Sequence, residues 1–581
     1  MKDCMRSPNE LSSLWHKLES ELYFRSSIFF SCLVSCFGLL HPCLMAQETP
    51  PAPGGIHQQQ QQSLDQYMTE QEKDDEREPE NQVEAPEANQ RRGKSTKTQK
   101  KKFWVREFDV GSSKILTPEE INGIVRPLEG RKLTQEQILS VIDKLNQLYA
   151  EKNHPTARAF LGSETIKNGV VKIRMVESTL GKFTIQGAKH LDPGYVRSCI
   201  DQEQGSVLLV PDLESELTRF NRLNDSNLRA KLAPGSAFGT TDVVLKVREP
   251  DPYQLSLFTD NAGQESVGRW RSGAFFKVAN VIGRSDPLSI IANRSDGTGS
   301  YYVSYSVPLT ADGLRLETSW SDSEMEVVDS PYEDLDITGD FSQVSAGLLY
   351  PFLVRSDAKW TVYGRSSRSW SESYVGGLEL QDLRQDMYRG GVSASLYDES
   401  GRWTMDHSLN LGSDEEDVFY YAGTFSRWQR LTESTRLVLS CAGQYAPADR
   451  VMPSSEQFQV GGISSARGFS EGALSGNSGY FFNVEVRRPL FENPDGLLSS
   501  QASDLVEGFL FVDHGAAFPY RENDDHPDHN DYLTSAGVGT RFNISEYIIG
   551  RVACGFPLNE SDRDPDPQSP YIHFSIQLQC F

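Results

Sequence analysis

Tyr301–Ser321 reads YYVSYSVPLTADGLRLETSWS. In its first half Tyr301, Val303, Tyr305 and Val307 recur at every second position. After Thr310-Ala311-Asp312-Gly313, Leu314, Leu316, Thr318 and Trp320 lie on one face and Arg315, Glu317, Ser319 and Ser321 on the other. A period of two, rich in aromatic and β-branched residues, marks a strand with one apolar face, and Thr-Ala-Asp-Gly is turn chemistry, so the stretch is a hairpin. Outward from it the alternation continues, as in Trp270, Ala274, Phe276 and Val278. Sixteen such segments fit into residues 251–581, beginning near 253, 268, 286, 299, 312, 339, 357, 386, 401, 417, 434, 480, 508, 534, 546 and 571. Every second connection is compact (GRSD, TADG, NISE) and the others include long acidic loops. Short turns at one end and long loops at the other are the pattern of a transmembrane β-barrel of the outer-membrane type. A soluble β-sandwich would alternate too, but sixteen strands behind a duplicated leader fit it poorly.

Composition agrees. The 581 residues carry 57 Lys+Arg against 81 Asp+Glu, a net charge of −24, which argues against a nucleic-acid binder. Mean hydropathy is −0.48, and no stretch after residue 46 approaches the roughly 18 apolar residues of a spanning helix. A barrel hides its hydrophobicity in alternation, so average hydropathy does not register it. Four of the eight cysteines (Cys4, Cys32, Cys36, Cys43) precede residue 47, and Cys199, Cys441, Cys554 and Cys580 are scattered without a C-x-x-C pair. That indicates neither a zinc site nor a disulfide framework.

The leader divides into four parts. Residues 1–46 contain the apolar run IFFSCLVSCFGLLHPCLMA after Arg25, read as a secretory signal segment with cleavage after Ala46. Residues 47–102 hold QQQQQ, repeated Pro and Glu, and RRGKSTKTQKKK, a disordered linker by composition. Residues 103–178 read as β-α-α-β-β. Thr117-Pro118-Glu119-Glu120 and Thr134-Gln135-Glu136-Gln137 are capping boxes, and Ile138, Ile142, Leu145 and Tyr149 share a helix face. Residues 179–250 repeat the plan, with a helix placing Leu213, Leu217 and Phe220 on one face. This is a duplication of form with little identity.

From about residue 103 onward the chain resembles the TpsB family of two-partner secretion transporters, a family of haemolysin secretion and activation proteins. PLEGRKLTQEQI and VPDLESELTRFNRL resemble parts of its two POTRA domains. Asp260-Asn261-Ala262-Gly263, followed by Gly268 and Arg271, resembles its opening barrel strands. Arg467-Gly468-Phe469 is similar to its VRG(F/Y) motif, with Ala466 in place of Val, in a long connection (about 446–479) where the family carries a loop inserted into the lumen. Phe511-Val512-Asp513-His514-Gly515 is similar to its F-x-D-x-G motif on strand thirteen. An Arg buried in a lumen needs an acidic partner. Asp513, on the same face of its strand as Phe511 and Gly515, is the expected one, with Gly468 allowing close approach and Phe469 supplying apolar contact.

The resemblance implies an outer-membrane transporter, not an enzyme, with its POTRA domains in the periplasm. They would receive a large secreted exoprotein, adhesin- or haemolysin-like, by β-augmentation. Outer-membrane lipid and the barrel-assembly machinery are the other expected partners. No nucleic acid, nucleotide, metal or cofactor is expected. A barrel-assembly or insertion factor is the alternative that shares the motifs, and a passive porin or ligand receptor is a third. Gly468-Phe469-Ser470-Glu471-Gly472 fits G-x-S-x-G but lacks the strand-to-helix context of a nucleophile elbow. Arg521–Asp531 (RENDDHPDHND) lacks the spacing of a calcium loop. The final strand poses a problem of phase, because Ile572, Phe574, Ile576, Leu578 and Cys580 share one face and Phe581 falls out of step with them, so a terminal bulge is expected unless assembly tolerates either register.

Overall fold

The computed structural model describes residues 52–53, 55, 83–84, 102–152, 154, 156–329, 333–414, 417–447, 451–491, 506–518, 532–544, 547–560 and 569–581. The signal segment 1–46 and the loop 521–531 lie outside them.

In chain order, strands β1 (Val83–Glu84), β2 (Lys102–Val105) and β3 (Glu107–Val110) lead to helix α1 (Pro118–Val125), β4 (Arg131–Thr134), α2 (Gln135–Glu151), β5 (Arg158–Lys167) and β6 (Val170–Val176). Both capping boxes form. Thr117 and Thr134 accept from the N–H groups of Glu120 and Gln137, whose side chains accept from the N–H groups of the two threonines. Ile138, Val141, Ile142, Leu145 and Tyr149 of α2 are buried with Val171 and Ile173 of β6, each contributing about 1.5–3 kcal/mol through burial. The sheet order is β3–β6–β5, and β2 with β4 forms a separate ribbon that the sequence pattern does not show.

The second unit contains β7 (Thr179–Gln186), α3 (Pro193–Ser198, capped by Asp192), α4 (Val210–Leu223), β8 (Asn227–Pro234) and β9 (Thr240–Arg248). Leu213, Leu217 and Phe220 are buried as their spacing implies. Its sheet has four strands, β1–β8–β9–β7, because Val83 and Glu84 pair in parallel with Ala230 and Lys231. The expectation of disorder over 47–102 is corrected to this extent. Val83 packs on the apolar core, and a free sheet edge accepts any extended backbone, so low-complexity composition does not prevent the pairing. Residues 52, 53 and 55 also have a place. Pro53 and Gly55 are buried, with Pro53 against Gly339 and the Gly55 carbonyl accepting from Gln459 at 3.0 Å.

Each unit ends in a carboxylate that the sequence pattern does not reveal. Glu177 accepts from the N–H groups of Lys114 (2.8 Å) and Ile115 (3.2 Å), from Tyr149 Oη (3.1 Å) and from Ser113. Glu249 accepts from the N–H groups of Lys189 (2.7 Å), His190 (3.0 Å) and Leu191 (3.0 Å). The duplicated units thus share one device, a terminal glutamate that ties the chain's exit to the loop before the first helix.

The barrel strands are β10 (Tyr253–Asp260), β11 (Arg271–Val278), β12 (Leu288–Arg294), β13 (Thr298–Pro308), β14 (Arg315–Glu326), β15 (Ile337–Val354), β16 (Ala358–Val375), β17 (Leu378–Asp398), β18 (Gly401–Asp414), β19 (Val418–Arg430) and β20 (Arg436–Tyr445). A loop then carries the short hairpin β21 (Phe458–Val460) and β22 (Leu474–Gly476). The wall resumes with β23 (Ser478–Phe491), β24 (Val506–Phe518), β25 (Tyr532–Ile544), β26 (Ile548–Pro557) and β27 (Tyr571–Gln579). Sixteen strands pair antiparallel in sequence order, and β27 closes on β10. Starting points fall within a few residues of those the alternation predicts, except β17. It begins at Leu378 rather than near 386, because the Gly376-Gly377 turn, both with positive φ, carries the β16–β17 hairpin past the aromatic stretch. Burial is inverted relative to a soluble domain. Trp320, Leu348, Phe352, Leu409 and Leu510 are exposed, while Ser321, Asn410, Arg551 and Asp513 are buried inward, as a lipid-facing wall requires.

The phase of the last strand resolves at its end. The Leu255 N–H donates to the Phe581 carbonyl (2.9 Å), and its carbonyl accepts from the Cys580 N–H (2.7 Å). One residue facing two is a β-bulge, which puts Phe581, 56% exposed, on the outer side with Cys580.

The second unit is held on the barrel's turns. Arg222 donates to the Ser356 carbonyl and lies 4.1 Å over the Tyr397 ring, Lys277 pairs with Asp225 (2.8 Å), and the Asp192 N–H donates to the Gly283 carbonyl (2.8 Å).

Glu177→Ala should accelerate amide hydrogen exchange at Lys114 and Ile115 in the full-length protein, with a local loss of about 1–2 kcal/mol for this half-exposed cluster. Burial raises the carboxyl pKa of Glu177 and of Glu249, but the hydrogen bonds outweigh it and both end below the usual 4.5. Their stabilisation is therefore present above about pH 4.5 and is lost as pH falls through the folded values. Exchange measured from pH 7 down to 3 should show both loops loosening together.

Candidate functional site

Residues 451–477 do not stay outside the barrel. The loop enters the lumen and packs Phe458, Val460, Ala466, Phe469 and Leu474 against Ala517 and Leu533 of the wall. Phe469 is fully buried. At the tip Arg467, 2% exposed, meets Asp513, 0% exposed. Nε donates to Oδ2 at 2.8 Å, Nη2 to Oδ1 at 2.7 Å, and the Arg467 backbone N–H to Oδ2 at 3.1 Å. The guanidinium also lies 3.6 Å from the centroid of the Phe511 ring. Two parallel charge-assisted bonds with a π face beneath fix the group in position and in plane. Asp513 points inward because β24 alternates, burying Phe509, Phe511 and Asp513 while exposing Leu510 and Val512.

Glycines make the approach possible. A Cβ on Gly468 would stand 2.6 Å from Ser535 Cβ and 2.9 Å from Pro557 N, and one on Gly515 would stand 2.7 Å from Val460 Cγ1.

The pair is part of a larger network that the sequence motifs do not contain. Arg467 Nη1 donates to Glu485 Oε2 at 2.6 Å, and Arg551 donates to the same oxygen at 3.2 Å. Arg487 reaches the other carboxylate oxygen. Asn483 donates to Asp513 Oδ1 at 2.7 Å, and His573 Nε2 donates to the Arg467 carbonyl at 3.0 Å. A Cβ on Gly555 would collide with that carbonyl at 2.2 Å. The available signal was the alternation Asn483, Glu485, Arg487, an unbroken polar face on a wall strand. The loop's stem has its own anchor, where Tyr420 Oη donates to Glu456 Oε2 at 2.6 Å and Gln444 donates to the Glu456 carbonyl at 2.7 Å.

The first-strand residues lie apart from the Arg467–Asp513 pair, at the joint between first and last strands. Arg271 donates to Asp260 through Nε (2.8 Å) and Nη2 (3.1 Å), both side chains buried. A Cβ on Gly263 would lie 2.2 Å from the Gly268 carbonyl oxygen, and Gly268 has φ +99°. Only glycine fits either position. Gly468–Gly472 is lumen-loop backbone with no helix after Ser470, which is not the strand-to-helix setting of a nucleophile elbow. No grouping of metal-ligating side chains occurs among the described residues.

Arg467→Ala leaves Asp513 without a cation, and Asp513→Ala leaves Arg467 with Glu485 as its one carboxylate among the described residues. Breaking a buried pair from one side costs about 3–5 kcal/mol, reduced here by lumen water. The wall's ladder should survive, so heat-modifiable gel migration should persist while the loop becomes accessible to protease. The double variant should be less than additively affected, since the second change removes a charge already stranded.

The model of the haemolysin secretion/activation protein ShlB/FhaC/HecB family matches residues 239–542, just over half of the 581 residues, and that of the ShlB-type POTRA domain matches residues 103–178. The outer membrane transporter CdiB of Escherichia coli is 26% identical over 94% of this chain and 95% of its own length. The solved structure of CdiB from Escherichia coli superposes with a TM-score of 0.68 at 22% identity, covering 92% of this chain and 100% of that one. BamA from Haemophilus ducreyi lacking its POTRA domains 1–3 superposes with a TM-score of 0.52 at 13% identity over 82% of this chain. At such identities these two structures speak for the fold alone. The sequence match carries the assignment: the chain belongs to the haemolysin secretion/activation protein ShlB/FhaC/HecB family, outer-membrane transporters of two-partner secretion with periplasmic POTRA domains.

Proposed function

We propose that the two periplasmic units capture a large exoprotein as an extended chain and pass it into the barrel, through which it reaches the cell surface. The observation that carries this reading is a closed sixteen-strand barrel whose lumen holds a loop pinned by Arg467 to Asp513 and whose periplasmic turns hold the second unit. Capture by β-augmentation suits a carrier that must accept varied sequence, because it uses main-chain hydrogen bonds. The edges open among the described residues, at β3, β5 and β7, and the β8 edge behind β1 are candidates. Among the described residues β5 pairs on one side only, with β6, whereas the β8 edge holds β1. A passenger strand on β8 must therefore displace the chain's own Val83–Glu84.

Passage then requires Pro53, Gly55 and the lumen loop to yield space, and folding outside supplies the direction. The site is one of positioning and recognition, with no chemistry on the passenger. The partner is an adhesin- or haemolysin-like exoprotein. Lipid meets the exposed apolar band, and the barrel-assembly machinery meets the outward-facing last strand with Phe581.

Deletion of residues 103–249 should leave a heat-modifiable barrel in the outer membrane that neither binds nor exports its passenger. Export at the wild-type level by that form would move the receptor elsewhere. Val83→Pro removes a backbone N–H and should detach β1. Tighter passenger binding would then identify β8 as the receiving edge, and unchanged binding would point to one of the open edges β3, β5 and β7. Arg467→Ala, at equal surface abundance, should abolish most export.

A further inference from the structure

The shortest joint of the barrel is the one between its first and last strands. Five residues of β10, Ser256–Asp260, pair with Gln579–Ser575 of β27, whereas every other joint pairs seven or more. The reason is local. After Asp260 the chain leaves the wall, turning through Gly263, whose N–H donates to the Arg269 carbonyl at 3.0 Å, before re-entering at Arg271. β27 starts further out, at Tyr571, so its outer end would face an empty position. Unpaired backbone groups at that place are costly near lipid.

Asn261 fills the gap. Its backbone N–H donates to the Phe574 carbonyl at 3.2 Å, a regular rung. The return bond is not regular: the Phe574 N–H donates at 2.7 Å to Asn261 Oδ1 rather than to a main-chain carbonyl. Asn261 Nδ2 then donates at 2.7 Å to the Ile572 carbonyl, the group that the N–H two residues on would reach if β10 continued. One side-chain amide therefore supplies an acceptor and a donor in the positions of the missing backbone. Arg269 adds a second donor to the Ile572 carbonyl at 3.3 Å and lies 4.5 Å over the Tyr571 ring. The Asp260 side chain turns to Arg271 and to the Ala262 N–H (2.9 Å), which fixes the turn that delivers Asn261 to the seam. Asp260, Asn261, Gly263, Gly268 and Arg271 then have one purpose between them.

We propose that this motif is the closure device of the barrel and that Asn261 is its positioning residue, extending the first strand by a side chain so that the wall stays shut at its shortest joint while a chain passes through the lumen. The closure half rests on the seam geometry alone, and the passage half rests on the export reading above.

The experiment uses the full-length protein. Asn261→Ala removes both amide bonds, and Asn261→Asp keeps the acceptor but loses the donor. Each is compared with wild type for the temperature at which the folded gel form converts to the unfolded one and for ion leak in planar bilayers. Both variants should convert at lower temperature and leak severalfold more, Asn261→Ala the more strongly. A disulfide between Ser256→Cys and Gln579→Cys, paired residues across the seam, in a Cys580→Ser background, should restore both readouts to Asn261→Ala when oxidised and lose them on reduction. A general loss of folding would not be rescued in that way. The cross-link in the otherwise unaltered chain should leave export intact. Wild-type leak and conversion in Asn261→Ala, or no rescue by the oxidised cross-link, would overturn the closure role. Export blocked by the cross-link and recovered on reduction would show that the joint must part, and would overturn it too. If the unaltered chain exports no passenger at all, the export reading fails while the leak and conversion results still decide the closure.

Discussion

In hydrocarbon a backbone N–H or C=O has no water to turn to, so a strand wall must close on itself with every lipid-level group paired. The rest of this structure follows from that constraint. It sets the inverted burial, with Leu510 and Val512 outside and Asp513 inside on one strand. It also explains the two irregular fastenings of the closing joint. At one end of β10 a bulge lets Leu255 bond to both Cys580 and Phe581, and at the other the Asn261 amide takes over from the main chain. At both ends of this joint, where the ladder cannot run in register, another hydrogen-bonding group occupies the place.

A closed wall leaves a polar interior, and there the lumen loop is held by charge. Arg467, Arg487 and Arg551 converge with Asp513 and Glu485 in a space where none is more than 7% exposed. Buried ion pairs are weak evidence for stability, since desolvation offsets much of the attraction. Their geometry is strict, however, and a bidentate pair over an aromatic ring has one productive arrangement. The network therefore specifies where the loop tip sits more than how tightly the barrel folds. The separate anchor at Glu456 and Tyr420 holds the stem, so the loop crosses the lumen fastened at two points.

The periplasmic units apply hydrogen bonding in a third way. In water a sheet edge can stay open, and the second unit's edge is covered by two residues of its own leader. Glu177 and Glu249 gather loop N–H groups at matching places in the two units. The resemblance between the units is thus one of hydrogen-bond design as well as element order, although their sequences share little.

What could be read without coordinates was whatever depends on local periodicity. The sixteen strands, the caps at Thr117 and Thr134, the helix faces of Ile138 to Tyr149 and Leu213 to Phe220, and the inward placement of Asp513 follow from repeats of 2 and 3.6 residues and from short-range capping. The start of β17 was misplaced because its outer part lies beyond the apolar band, where alternation carries no signal. The linker strand at Val83 was missed because a borrowed edge needs only backbone, which composition does not report. Glu485, Arg551, His573 and Gly555 joined the Arg467–Asp513 site only in three dimensions, brought together from β23, β26 and β27 by the curvature and register of the wall. The Asn261 rung belongs to the same class. The sequence determined which residues face inward, while the tertiary structure alone decided which inward residues meet, because that depends on register and closure, and both are long-range.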